Sequence, residues 1–164
     1  IVTHDSGHPR DQTIPFYEAT RPRGYLGWGN SSQLGYGLGI AMGAKLGAPE
    51  KFVVNIMGDA AIGMAGMDLE TATRHKIPIL TIVFNNHVLS GYSKNYPVAT
   101  KKFGFTNLYG EYADLARSLG AYSERIESPG QIIPGIARAR AAMEEGRPAL
   151  LEFMTKEENR LSRY

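Results

Sequence analysis

Asp59 stands at the end of an apolar run, Phe52-Val53-Val54-Asn55-Ile56-Met57, behind Gly58 and ahead of the small residues Ala60 and Ala61. A second apolar run, residues 79–84, ends at Asn85-Asn86, and 24 residues separate Ala60 from Asn85. A carboxylate and an amide both offer oxygen, the donor that a hard divalent cation such as Mg²⁺ takes. One carboxylate and one amide, rather than two carboxylates, suits a cation that also carries a diphosphate, because a second fixed negative charge would add repulsion. Ala60, Ala61 and Gly63 lead into a helix, whose open N–H groups and positive dipole end receive phosphate. The plainer alternative makes Asp59 a helix cap and Asn85-Asn86 a turn. Either motif alone favours that alternative; together, on strands of the right type, they favour a cation and diphosphate site.

For Asp59 and Asn86 to face each other, their strands must be parallel neighbours joined by a crossover helix. The rest of the chain supports that arrangement. "IVTHD" reads as a first strand, "RPRGYLGWGNSSQ" as a Gly-rich loop, and residues 34–46, rich in small and apolar types, as a helix laid close against a sheet. Residues 66–75 read as a helix with Met67 and Ala72 inward, ending in Arg74-His75-Lys76 before Pro78. A polar, aromatic loop is expected from Asn85 to about Asn107. A helix over 111–119 closed by Gly120 follows, then a strand over 121–126. Ser128-Pro129-Gly130-Gln131 has the form of a capping box, its helix beginning nearer Ile133 and running to Gly146. "PALLEFM" is a last strand. Continuous apolar strands alternating with helices predict an α/β fold, doubly wound, with a mainly parallel sheet and helices on both faces. Ligands of such sheets bind beyond the carboxyl ends of the strands, where Asp59 and Asn86 both lie. Residues 1–154 form the domain and 155–164 a polar C-terminal tail.

The totals narrow the function classes. Across 164 residues, 18 basic and 16 acidic side chains leave a formal charge of +2, without the basic footprint of a nucleic-acid binder. The absence of cysteine excludes disulfides, thiolate metal sites and a cysteine nucleophile. The best apolar run, 77–84, is broken by Pro78 and Thr81 and is too short to span a membrane. No partner nucleic acid or membrane is therefore expected; the absence of cysteine leaves the redox compartment open, and the expected location is cytoplasmic. The chain opens on Ile1 within a strand-like run and reads as a piece of a longer protein.

With a GD-small motif, two dozen residues and NN, the sequence resembles the thiamine-diphosphate-dependent enzymes, and specifically their C-terminal, diphosphate-binding domain. "RGYLGWGNSSQLGYGLGIAMGAKLG" and "VTHDSGH" are similar to acetolactate synthases, while "GDAAIGMAGMDLETATRHKIPILTIVFNN" is also similar to oxalyl-CoA decarboxylases and 2-hydroxyacyl-CoA lyases. The resemblance implies thiamine diphosphate and Mg²⁺ as cofactors, with Asp59, the Asn86 side chain and the Val88 carbonyl as metal ligands. It places Gly58 at the strand end and the amides of Ala60, Ala61, Ser90 and Gly91 at the phosphates. Leu34 would wedge the cofactor into its bent shape, the Ser32 carbonyl would accept from the aminopyrimidine, and Ser6, Gly7 and His8 would line the diphosphate. It implies a transferase or lyase acting on a 2-keto acid, by decarboxylation and carboligation. The partner would be an N-terminal pyrimidine-binding domain of the same enzyme on a neighbouring subunit, in a homodimer or homotetramer. That domain carries the glutamate that activates the aminopyrimidine, so the chain here has no catalytic residue of its own and is expected to be inactive alone.

The sequence departs from the acetolactate-synthase pattern in having His8-Pro9 for Gln-His, in the loop Gly29 to Leu34, and in Leu38-Gly39 after "GYG". Two readings from other classes stand beside this one. Gly37-x-Gly39-x-x-x-Gly43, with Asp59 downstream, mimics a dinucleotide fingerprint, but requires an apolar strand directly before Gly37. A non-catalytic binding module would keep the fold with a vestigial site. His75 is expected at a helix end, His4 in a strand and His87 exposed; Tyr92 and Tyr96 suit a lid or interface, and Trp28 a subunit contact.

Overall fold

The computed structural model describes residues 1–29 and 33–157. Their strands are β1 (Val2–His4), β2 (Tyr25–Leu26), β3 (Val54–Gly58), β4 (Leu80–Asn85), β5 (Tyr122–Ile126) and β6 (Ala149–Met154). They form one sheet in the order β2-β1-β3-β4-β6-β5 with every pairing parallel. The helices are α1 (His8–Thr13), α2 (Tyr36–Gly47), α3 (Asp59–Ala65), α4 (Asp68–Arg74), α5 (Tyr92–Asn95), α6 (Pro97–Phe103), α7 (Tyr112–Ser118) and α8 (Ile132–Glu144).

Two apolar cores lie on the two faces of the sheet. On one, Leu38 and Ala41 of α2, Leu69 and Ala72 of α4, and Tyr112 and Ala116 of α7 cover Met57, Val83 and Leu150. On the other, Ala139 and Met143 of α8 cover Leu80, Ile126 and Leu151. Successive strand residues serve opposite faces, which is why Leu150 and Leu151 enter different cores and why the central strands β3, β4 and β6 are mostly apolar on both faces. The fold is thus the doubly wound parallel α/β fold expected. After β2 the chain returns to the other side of β1, so the connections reverse between β1 and β3. Ligands of open parallel sheets bind beyond the carboxyl ends at such a reversal, here beside Asp5 and Asp59.

Glycine at one position makes the close packing of α2 possible. A Cβ built on Gly37 would stand 2.7 Å from Asn55 Oδ1, 2.9 Å from the His4 carbonyl and 3.0 Å from Asp5 Oδ2. The first turn of α2 therefore lies directly on β1 and β3. Beneath it Thr3 Oγ1 donates to Asn55 Oδ1 at 3.0 Å.

Several expectations needed revision. Met67 is 65% exposed, because the strand leads straight into α3 and the chain turns at Gly66 and Met67 before α4; only Ala72 of the expected pair is inward. The loop expected from Asn85 contains α5 and α6, and the segment before α2 contains α1 and β2. The capping box is present: Gln131 Oε1 accepts from the Ser128 amide, over a 3₁₀ turn, Pro129–Gln131, that leads into α8. Of the expected tail, residues 158–164 lie outside those described. Among the described residues no helix is long and apolar enough to cross a membrane.

Gly37→Ala should cost about 1–3 kcal/mol, the range for overpacking against backbone and fixed side chains. Gly43→Ala, on the same helix with nothing within 4 Å of its Cβ position, should be neutral or stabilising by about 1 kcal/mol. Urea unfolding of the two variants side by side checks both.

Candidate functional site

A cleft of about 140 Å³ opens at the carboxyl ends of β1, β3 and β4. Ser6, Gly7 and His8 line it after β1, Gly58, Asp59, Ala60 and Ala61 after β3, and Asn86, Val88 and Ser90 after β4, with Leu34 from the loop before α2. All the residues singled out by sequence therefore converge here except two. Gly91, at φ +82°, follows Ser90 as the cap of α5 and does not line the cleft, and Ser32 lies outside the described residues. A larger groove, about 670 Å³, lies around Ile1, Tyr17, Arg21 and Phe52. It holds none of these residues.

Asp59 is the first residue of α3 and is 5% exposed. Its Oδ1 accepts from the Ala60 amide at 2.8 Å and its Oδ2 from the Asn86 amide at 3.2 Å. Burial pushes its carboxyl above the usual range, with the N–H groups of Ala60, Asn86 and His87 pulling the other way. A cation at its oxygens would relieve that cost. The Asn86 side chain is already ordered: Oδ1 accepts from the Val88 amide at 3.0 Å and Nδ2 donates to Ser90 Oγ at 3.0 Å. An amide oxygen has two lone pairs, so Oδ1 retains one for a ligand. Among the described residues no three His, Asp or Glu side chains cluster. A cation held here would take a carboxylate oxygen together with amide and backbone oxygens, and Asp59, Asn86 and Val88 carry such groups at the cleft.

The turn after β4 is unusual in its backbone. His87 adopts φ +59°, a left-handed conformation that costs a residue with a side chain about 1–2 kcal/mol. The Asn85 side chain secures it, Oδ1 accepting from the His87 amide at 3.1 Å. The His87 carbonyl accepts from Leu108 at 2.8 Å, and Val88 forms a bridge with Asn107. His87 is half-buried rather than exposed, because that bridge holds the turn down against residues 106–108.

Sequence reasoning missed Asp5. Fully buried at the end of β1, it accepts from the Ser6 amide at 2.8 Å and the Gly37 amide at 2.9 Å, and from the Gly35 amide at 3.0 Å. Gly35 sits at φ +94°, and its tie to Asp5 fixes the neighbouring Leu34 at the cleft. The signal was available: "VTHDSG" places a carboxylate at the tip of a buried strand, as "MGDA" does. Behind it His4, 2% exposed, stacks on Tyr25 with ring centroids 5.3 Å apart and meets the Tyr36 hydroxyl at 3.2 Å. Trp28 packs edge-on to Tyr36 and is half exposed.

Residues 5–153 match the family described as "Thiamine pyrophosphate enzyme, C-terminal TPP binding domain". The chain belongs to that family. It is 32% identical over 165 residues to an acetolactate synthase large subunit of Mycobacterium tuberculosis, covering 94% of this chain and 28% of that protein. A probable acetolactate synthase large subunit of Methanococcus aeolicus is 30% identical over 99% of this chain and 27% of its own length. A sulfoacetaldehyde acetyltransferase of Alcaligenes xylosoxydans xylosoxydans is 28% identical over 96% of this chain and 27% of that protein. The chain spans about a quarter of the length of these curated relatives. The matched region of this TPP-binding domain contains every cleft residue named above. The dinucleotide reading loses its premise, since residues 33–35 before α2 form no strand.

Asp5→Ala should cost about 3–5 kcal/mol, because several buried N–H groups lose their acceptor together. Asp5→Asn, which retains one acceptor oxygen, should cost less. Denaturant unfolding midpoints order the two variants.

Proposed function

We propose that this chain anchors thiamine diphosphate through Mg²⁺, as the diphosphate-binding domain of an acetolactate-synthase-like enzyme acting on 2-keto acids. The observation that carries the reading is the contact between the Asp59 carboxylate and the Asn86 amide, which brings two oxygen-bearing strand ends to one small cleft. In this reading Asp59, Asn86 Oδ1 and the Val88 carbonyl hold the cation, and the cation clasps the diphosphate. The amides of Ala61 and Ser90 meet the phosphates, while the Ala60 amide, already committed to Asp59, and that of Gly91, which stands behind the cleft lining, contribute less. Ser6, Gly7 and His8 close the diphosphate side, Leu34 supports the bent cofactor, and the Ser32 carbonyl receives the aminopyrimidine. When bound, thiamine diphosphate supplies the electron sink for cleavage next to a carbonyl, and the protein supplies position and electrostatics.

The activating glutamate belongs, on this reading, to a pyrimidine-binding domain on a neighbouring subunit. Support comes from the segment after the turn: Tyr96, Val98 and Phe103 are all more than half exposed, a surface suited to cover by a partner. The chain alone then binds cofactor without turning over substrate, and the working unit is a cytoplasmic homodimer or homotetramer. A second reading is acyl transfer of the kind named for the sulfoacetaldehyde acetyltransferase relative, favoured by a match over nearly the whole chain. Both readings share the anchor.

Titration calorimetry should show thiamine diphosphate binding that requires Mg²⁺ and disappears with EDTA. Asp59→Ala should weaken it by at least about a hundredfold, beyond the 10–100-fold typical of outer-shell changes. Unchanged affinity in that variant, or a preference for NAD(P), would sink the proposal.

A further inference from the structure

Glu152 lies in the interior of β6, opposite Val83 of β4 and Arg125 of β5 in the sheet register, and is 0% exposed. Carboxylates are almost never fully buried without partners, and an apolar residue of similar volume often serves stability as well or better. Its neighbour on the same face, Leu150, packs into the α2, α4 and α7 core. Its own oxygens turn instead to two N–H donors. Oε2 accepts from the Ala113 amide in the first turn of α7 at 3.0 Å, and Oε1 accepts from Asn85 Nδ2 at 2.6 Å.

The second bond has a directional consequence. A carboxylate accepts only, so it admits only the NH₂ end of the Asn85 amide. That choice turns Asn85 Oδ1 toward the His87 amide, which it meets at 3.1 Å. Nδ2 also donates to the Gly110 carbonyl at 3.3 Å, in agreement with the same orientation. Reversing the amide would set NH₂ against the His87 N–H and release the left-handed residue between Asn86 and Val88.

We propose that Glu152 is a positioning residue for the cofactor turn: by fixing the polarity of the Asn85 amide, it holds His87 in its left-handed conformation and so sets the spacing of the Asn86 side chain and the Val88 carbonyl. The proposal rests on the reading of Asn86 and Val88 as cation ligands. It adds a residue 66 positions further along the chain than Asn86, in a strand that contributes nothing to the cleft lining.

The test uses Glu152→Gln, which preserves shape. The introduced glutamine can still accept from the Ala113 amide, but its NH₂ then faces the NH₂ of Asn85 and forces that amide to reverse. Adding Asn85→Asp restores a legal pattern, since the introduced carboxylate accepts from the glutamine NH₂ on one oxygen and from the His87 amide on the other. Hydrogen exchange at the His87 amide should quicken in E152Q, and the Mg²⁺ concentration needed for thiamine diphosphate binding should rise about 10–100-fold, the range for residues behind a metal ligand. Both should return most of the way in E152Q/N85D, while a residue needed only for stability would gain nothing from that second change. Unchanged exchange at His87 in E152Q, unchanged Mg²⁺ dependence despite faster exchange, or a double variant no better than the single would each overturn the role. If E152Q fails to fold, recovery of folding and Mg²⁺-dependent binding in the double variant still supports the pattern, and failure there overturns it. A wild-type chain that bound cofactor without Mg²⁺ would instead remove the cation reading, and exchange at His87 in E152Q and the double variant would then decide the positioning claim by itself.

Discussion

Backbone N–H groups converging on buried carboxylates hold the carboxyl edge of this sheet in shape. Asp5 gathers the amides of Ser6, Gly35 and Gly37, Asp59 those of Ala60 and Asn86, and Glu152 that of Ala113 together with the Asn85 side chain. Each carboxylate sits where a strand, or the strand beside it, hands the chain to a loop or helix. A charge removed from water must be answered by donors, and here the donors belong to the backbone segments that surround the cleft. The loop before α2, the start of α3 and the turn after β4 are therefore fixed by groups that do not themselves need to touch a ligand.

The sheet order explains why the cleft opens where it does. Connections that reverse between β1 and β3 leave the two strand tips side by side with no chain crossing above them, and β4 adds the third wall. Space alone does not mark such a site: the groove around Ile1 is several times larger but gathers no comparable set of oxygen donors and amides.

Much of this was legible in the sequence because the signals were periodic or local. Apolar runs ending in Gly58-Asp59 and Asn85-Asn86 identified two parallel strands and the end of the sheet that matters. Small residues over 34–46 announced a helix packed against the sheet, and Gly37 shows how closely. What escaped was short or long-range. Helices α1, α5 and α6 are four to seven residues long, too brief for a periodic pattern, and β2 has two residues. Met67 misled because the helix starts after it rather than through it. Asp5 and Glu152 were visible as lone carboxylates in buried strands, "VTHD" and "LLEF", but apart from the adjacent Ser6 amide their partners lie 30 to 67 positions away. Pattern reading along the chain does not reach that far.

The place of β6 in the sheet has a consequence for how the protein is built. This strand comes later in the sequence than both of its neighbours, β4 and β5, and must slide between them. Until it does, β4 lacks a partner on that side and Asn85 has no Glu152 to orient it. The turn at His87 is thus finished by one of the last segments of the domain to emerge during synthesis. Chains that have folded only as far as β5 would carry the sequence motif in full without its shape, and the ability to hold a ligand would arrive together with completion of the sheet.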